Sequence, residues 1–107
     1  MFYKKNNKKY ITALDGVHYK TLVYGDRTSL HEFKLDKGST IPMHSHPHEQ
    51  TGYLVSGRMN FVFKNKIVLV ENGDSWSIPG GEEHGAEVID DCIVIEVFSP
   101  VREEYLR

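Results

Sequence analysis

Apolar and polar residues alternate in short runs along most of the chain. In the segment Ser29–Leu35, His31, Phe33 and Leu35 fall on one face. In Cys92–Phe98 two interleaved apolar sets appear, broken only by Glu96, which shares a face with Val94 and Phe98. A period of two is the signature of a strand, because successive side chains point to opposite sides of the backbone. The pattern, enriched in β-branched and aromatic residues and punctuated by Gly, Pro, Asn and Asp, predicts strands near Tyr19–Tyr24, Ser29–Leu35, Gln50–Ser56, Arg58–Phe63, Ile67–Glu71, Ser75–Ile78, His84–Ile89 and Cys92–Ser99. Turns are expected at Gly25-Asp26, Asp36-Lys37-Gly38, Lys64-Asn65-Lys66 and Asn72-Gly73-Asp74. Only Arg102–Leu106 has the composition of a short helical turn. Short strands with a turn every eight to twelve residues predict an all-β sandwich or barrel, since each strand needs another sheet to cover its apolar face.

Composition narrows this picture. At 107 residues, 39% hydrophobic and 26% charged, the chain is expected to fold as one domain, 1–107, around one modest core. No apolar run approaches the ~18 residues that span a bilayer, and the lysine-rich start, Met1–Tyr10, lacks the apolar stretch of a signal peptide, so no membrane partner and a cytoplasmic location are expected. The formal charge is −2, and the one basic cluster, Lys4, Lys5, Lys8 and Lys9, reads as a solvated terminus, so nucleic acid is not expected as a partner. The single cysteine, Cys92, opens an apolar run and reads as a small buried hydrophobe. Ile67-Val68-Leu69-Val70 together with Phe61-Val62-Phe63 carries more apolar surface than one small core covers, which predicts a homodimer.

Four of the six histidines lie in two places: His44, His46 and His48 before Gln50, and His84 after Pro79-Gly80-Gly81. Positions i and i+2 of a strand share a face, so His44 and His46 can present two imidazoles to one point. Gln50 lies an even number of positions further on, beyond a bend at Pro47, and His84 opens a strand one hairpin pair away. Imidazoles with one oxygen donor suit one divalent transition metal, and Mn, Fe, Co, Ni and Zn all remain open. The alternative is a set of solvated loop histidines. His48 is expected to face solvent, with a place at the cavity mouth as the alternative; His18 and His31 are expected to be structural, with His31 able to face the interior.

These residues carry a resemblance to the cupins. That family's first motif, glycine, five residues, His-x-His, three or four residues, a carboxylate, six residues and glycine, resembles Gly38, His44, His46, Gln50 and Gly57. Its second motif resembles Gly73, Pro79, Gly81 and His84 with every interval kept. The resemblance covers about half the chain and implies an antiparallel double-stranded β-helix, or jelly-roll barrel, with a metal held by His44, His46, Gln50 and His84. The family's usual glutamate is Gln50 here. A neutral donor leaves the metal its full charge and makes it a stronger Lewis acid; it fits iron-dependent dioxygenase chemistry less well. Glu49 replaces it only if the register shifts by one.

A lone carboxylate in an apolar strand needs a partner, a raised pKa or a polar cavity, so Glu96 is expected to face inward with Arg102 as its partner; the alternative is an outer face at a dimer contact. The segment Val97–Leu106 resembles the C-terminal end of small cupins of the pectin-degradation type, which convert unsaturated uronates to linear keto sugars. That resemblance implies Glu96 as acid-base group, Phe98 as pocket wall and Arg102 as anchor for a substrate carboxylate, although the subgroup has aspartate at the Glu96 position. The expected function is a metal-dependent isomerase or ring-opening enzyme acting on a small anionic sugar or keto acid. A noncatalytic ligand- or metal-binding module is the alternative, because the same fold hosts both. Trp76 is expected to be a core or interface aromatic, Met43 and Met59 to fill gaps in the barrel, Gly80-Gly81 to permit a tight turn, and Glu82 and Glu83 to be solvated.

Overall fold

A computed structural model describes residues 1–106; Arg107, the last residue of the expected domain, lies outside the described residues. Ten strands follow one another: β1 (Ile11–Leu14), β2 (Val17–Tyr24), β3 (Ser29–Leu35), β4 (Thr40–His44), β5 (Glu49–Ser56), β6 (Arg58–Phe63), β7 (Ile67–Glu71), β8 (Ser75–Ile78), β9 (His84–Val88) and β10 (Cys92–Ser99). Among the described residues a single 3₁₀ turn, Glu103–Tyr105, follows β10 where a helical turn was expected. The strands form two antiparallel sheets, ordered β1-β2-β3-β10-β5-β8 and β4-β9-β6-β7, which face one another as a jelly-roll barrel.

All eight expected strands are present, most to within a residue or two, and two more were not anticipated. β1 is exposed along its whole length, so it offers no alternation to detect. β4 contains Pro42, which cannot donate to a ladder; the strand lies at a sheet edge, paired only with β9, and its register shifts between Ile41 and His44.

β10 sits at the centre of the larger sheet and alternates buried and half-buried residues along seven positions. Its inward set is Cys92, Val94, Glu96 and Phe98, so Glu96 faces the interior. Register turns this alternation into rows across the sheet. One row, Tyr19, Phe33, Val94 and Leu54, is wholly apolar and buried. The next, Thr21, His31, Glu96, Gly52 and Trp76, is polar at its centre. Met59, Phe61, Val70, Ala86 and Val88 close the core from the opposite sheet. Apolar layers therefore fill one part of the barrel and titratable groups another.

Other expectations divide. Cys92 is buried, and burial pushes its thiol up. Phe61 and Val70 belong to the core, whereas Ile67, Val68 and Leu69 are exposed. Met59 fills the barrel as expected, but Met43 points outward and is 44% exposed, because β4 turns that face to solvent. His18 is structural, bonded to Thr12 Oγ1 and Asp36 Oδ2 at 2.9 and 3.1 Å.

His31 is fully buried and closes a directed chain of hydrogen bonds. The Arg102 backbone N–H donates to Ser29 Oγ (3.1 Å), Ser29 to His31 Nε2 (2.7 Å), His31 Nδ1 to Thr21 Oγ1 (3.0 Å), and Thr21 to the Tyr105 carbonyl. This satisfies both ring nitrogens of a neutral imidazole and staples the C-terminal turn onto β2 and β3. Burial, with the Arg102 charge adding, pushes His31 down to about 4. The unfolded chain protonates this group near 6.5. Its contribution is therefore complete above that pH and is lost as the pH falls toward 4, by up to about 3 kcal/mol. His46 and His84 shift in the same direction, so the comparison must be with a variant. Urea denaturation of metal-free protein is expected to show a drop in stability between pH 7 and pH 4.5 that is smaller by about that amount in His31→Gln.

Candidate metal centre

His44, the last residue of β4, and His84, the first of β9, are direct cross-strand partners in the smaller sheet. Their ring centroids are 4.5 Å apart. His46 is not on a strand: β4 ends at His44, and His46 reaches the same point from the loop that follows. Its ring lies 5.6 Å from that of His44 and 5.2 Å from that of His84. The loop is held by the turn before β9. Gly81 N–H donates to the His46 carbonyl at 2.8 Å, and the Pro47 carbonyl comes so close to Gly80 that a Cβ there would meet it at 2.2 Å. The Pro-Gly-Gly turn therefore packs flush on the histidine loop, and no larger residue fits at Gly80.

One ring nitrogen from each of His44, His46 and His84 lies within 4.8 Å of the others. Bonds of about 2 Å to one ion close such a triangle with small ring rotations. The Nδ1 atoms are already engaged: His44 with the Pro42 carbonyl (2.9 Å), His46 with that of His48 (3.0 Å) and His84 with that of Glu82 (2.9 Å). Each bond fixes the tautomer with its proton on Nδ1 and leaves a lone pair on Nε2, the ligating form. Burial lowers both His84 and His46, the latter to about 4 with Arg102 adding, which keeps the rings neutral.

Gln50 faces inward from β5, whereas Glu49 is exposed, so the register places the amide and not the neighbouring carboxylate at the site. Gln50 Oε1 lies 2.8 Å from His46 Nε2. With the proton of His46 on Nδ1, these are two acceptors facing each other, an arrangement that a cation between them stabilises. The donor set, its tautomers and this contact all fit a divalent metal.

Glu96 accepts from Gln50 Nε2, at 3.2 Å to each carboxylate oxygen, and from Trp76 Nε1 at 3.3 Å. Burial drives its pKa up to about 8 despite those bonds and the positive charge of Arg102. Arg102 is not its hydrogen-bonding partner, contrary to expectation. The guanidinium lies over the rings of Phe98 and Tyr105, at 4.7 and 4.5 Å, and its Nε pairs with Glu104 at 3.0 Å. His48 also departs from expectation: it is half-buried, edge-on to His46 at 5.5 Å, with a buried Nδ1 that has no partner among the described residues. Glu82 and Glu83 are exposed, as expected.

Trp76, read from the sequence as a packing residue, is both that and more. It packs on Phe61 at 4.8 Å and donates to Glu96. It reaches Glu96 because Gly52 stands between them in register and has no side chain; a Cβ there would lie 2.3 Å from the indole nitrogen. The signal was a glycine inside a strand, a mark of close approach, but its partner becomes visible only once the pairing is known. A cavity of about 320 Å³ brings His44, His84, Gln50, Glu96, Phe98 and Arg102 to one space.

Fold and site together define a small jelly-roll barrel with a three-histidine cluster on its inner wall. The chain belongs to the cupin domain family, whose profile matches residues 31–98. It is similar to the structure of KdgF from Halomonas sp., with 26% identity and a TM-score of 0.91 over 99% of this chain and 100% of that one. An RmlC-like cupin from Shewanella frigidimarina is 27% identical, with a TM-score of 0.90 over 98% and 95%. The polyketide cyclase RemF from Streptomyces resistomycificus is 25% identical, with a TM-score of 0.78 over 94% and 80%. No curated protein matches the sequence.

Elemental analysis of protein purified without chelator is expected to find roughly one divalent metal per chain, and close to none in a His44→Ala, His84→Ala double variant. Added metal at a hundredfold excess over its dissociation constant is expected to stabilise the native chain by about 2.7 kcal/mol and the variant not at all. Metal-independent stability of the native chain would remove the site.

Proposed function

We propose that this protein is a metal-dependent isomerase or ring-opening enzyme acting on small anionic carbonyl compounds: unsaturated uronates, related anionic sugars or keto acids. The observation that carries the reading is one cavity lined by candidate metal ligands, a buried carboxyl group and a guanidinium. His44, His46, Gln50 and His84 are assigned to the metal, which supplies Lewis-acid polarisation of a ligand oxygen. Arg102 is assigned to the substrate carboxylate, its planar fork braced between two aromatic rings. Phe98, which is 2% exposed, forms the wall between Arg102 and His46. Glu96 is assigned the proton transfer. Ketonisation of an enol needs one proton delivered to carbon and one withdrawn from oxygen, with no oxidant, and a single carboxyl group can exchange both. Trp76 and Gln50 hold that carboxyl in place.

Further parts of the reading are a single functional unit over residues 1–107, a cytoplasmic location, and a homodimer that covers Ile67 and Leu69, which are 61% and 47% exposed.

Replacing Glu96 with glutamine keeps the side-chain shape and removes the transferable proton. Turnover of an unsaturated uronate or keto acid is expected to fall about a hundredfold or more, with ligand affinity held within about twofold. Unchanged turnover would take Glu96 out of the chemistry. Sedimentation across micromolar concentrations is expected to show a dimer that dissociates in Leu69→Asp.

A further inference from the structure

The chemistry of the cavity wall selects among those substrates. We infer that the site takes a monocarboxylate α-keto or enol acid with a flat, apolar body, rather than a polyhydroxylated sugar; this rests on the assignment of Arg102 and the metal ligands above.

Only six of the nineteen residues around the cavity carry a polar side chain: His44, Gln50, His84, Glu96, Arg102 and Tyr105. Most of these are committed. The Nδ1 atoms of both histidines are bonded to backbone carbonyls, the Gln50 amide spans His46 and Glu96, and Glu96 also holds Trp76. What remains for a ligand is the guanidinium edge of Arg102, the Tyr105 hydroxyl, the metal position and the proton-transfer position of Glu96. Arg102 is the only cationic side chain among the described residues that lines the space, which fits one carboxylate and not two.

The remaining wall is apolar. Phe33 and Phe61 face the interior with Met59 and Val94, all at least nine-tenths buried. Ile41 and Leu14 continue the apolar surface outward, and Leu14, at the rim, is 46% exposed. A sugar bound with its carboxylate on Arg102 would press several hydroxyls onto this surface, where each loses its water partners and gains none. A planar unsaturated or aryl group loses nothing there, stacks on the rings and removes apolar surface from water. At about 320 Å³ the cavity is at the small end of ligand sites, so the body is of the order of one ring.

Isothermal titration calorimetry of the metal-loaded protein with phenylpyruvate, pyruvate and glucuronate tests this. Phenylpyruvate is expected to bind about tenfold or more tightly than either of the others, with a negative heat-capacity change that pyruvate lacks. Leu14→Asp, at an exposed position that leaves the fold intact, is expected to weaken phenylpyruvate several-fold more than pyruvate. Glucuronate binding as tightly as phenylpyruvate, or no binding of phenylpyruvate at all, would overturn the inference. Failure of the underlying assignment has a different appearance: Arg102→Met would leave the affinity of every carboxylate unchanged.

Discussion

A buried carboxyl group is the constraint around which this barrel is arranged. Glu96 lies on the central strand of the larger sheet, and its inward neighbours on that strand, Val94 and Phe98, can offer it nothing. Relief comes sideways, along the row that register creates. Trp76 donates across the gap at Gly52, Gln50 donates from the adjacent row, and Arg102 contributes charge from beyond the strand end. Each helper is spoken for by more than one task, since Gln50 also faces His46 and Arg102 also stacks on Phe98 and Tyr105. The polar layer thus behaves as one network, in which no member can be altered without leaving another unsatisfied.

The histidine cluster is assembled on different terms. Its geometry depends on backbone carbonyls and on two loops that touch, and among the described residues the larger sheet adds Gln50 and the packing of Phe98 on His46. A ring fixed at Nδ1 by its own chain two residues away is oriented before anything binds, so little ordering is left for binding to impose. The two sheets consequently divide the labour: the smaller one and its loops hold the imidazoles, and the larger one holds the buried carboxyl.

Much of this was legible in the sequence because it rests on local regularities. Period-two alternation marked β3, β5–β8 and β10, and the spacing of Gly38, His44, His46, Gln50, Gly57, Gly73, Pro79, Gly81 and His84 marked the cluster. Where local pattern and structure part, the cause is pairing. His46 was expected on a strand because i and i+2 share a face, yet it arrives by a loop braced by Gly81. Trp76 and Glu96 are twenty residues apart and meet only because both register with Gly52. Arg102 was matched to Glu96 because it follows that residue's strand, whereas the fold gives it aromatic faces and Glu104. Strand β4 was hidden by its proline, and β1 by the absence of any buried face.

The bonds from Arg102 through Ser29, His31 and Thr21 to Tyr105 begin and end on the backbone of the same C-terminal turn. They form a closed loop with a direction, because a backbone N–H can only give and a carbonyl can only receive. No member can be reversed by itself, and a rotated hydroxyl at Ser29 or Thr21 would break its neighbour's bond as well as its own. The turn that carries Arg102 and Tyr105 to the cavity is therefore held at both ends by one chain of bonds, and the loss of any link loosens the backbone on which the guanidinium is mounted.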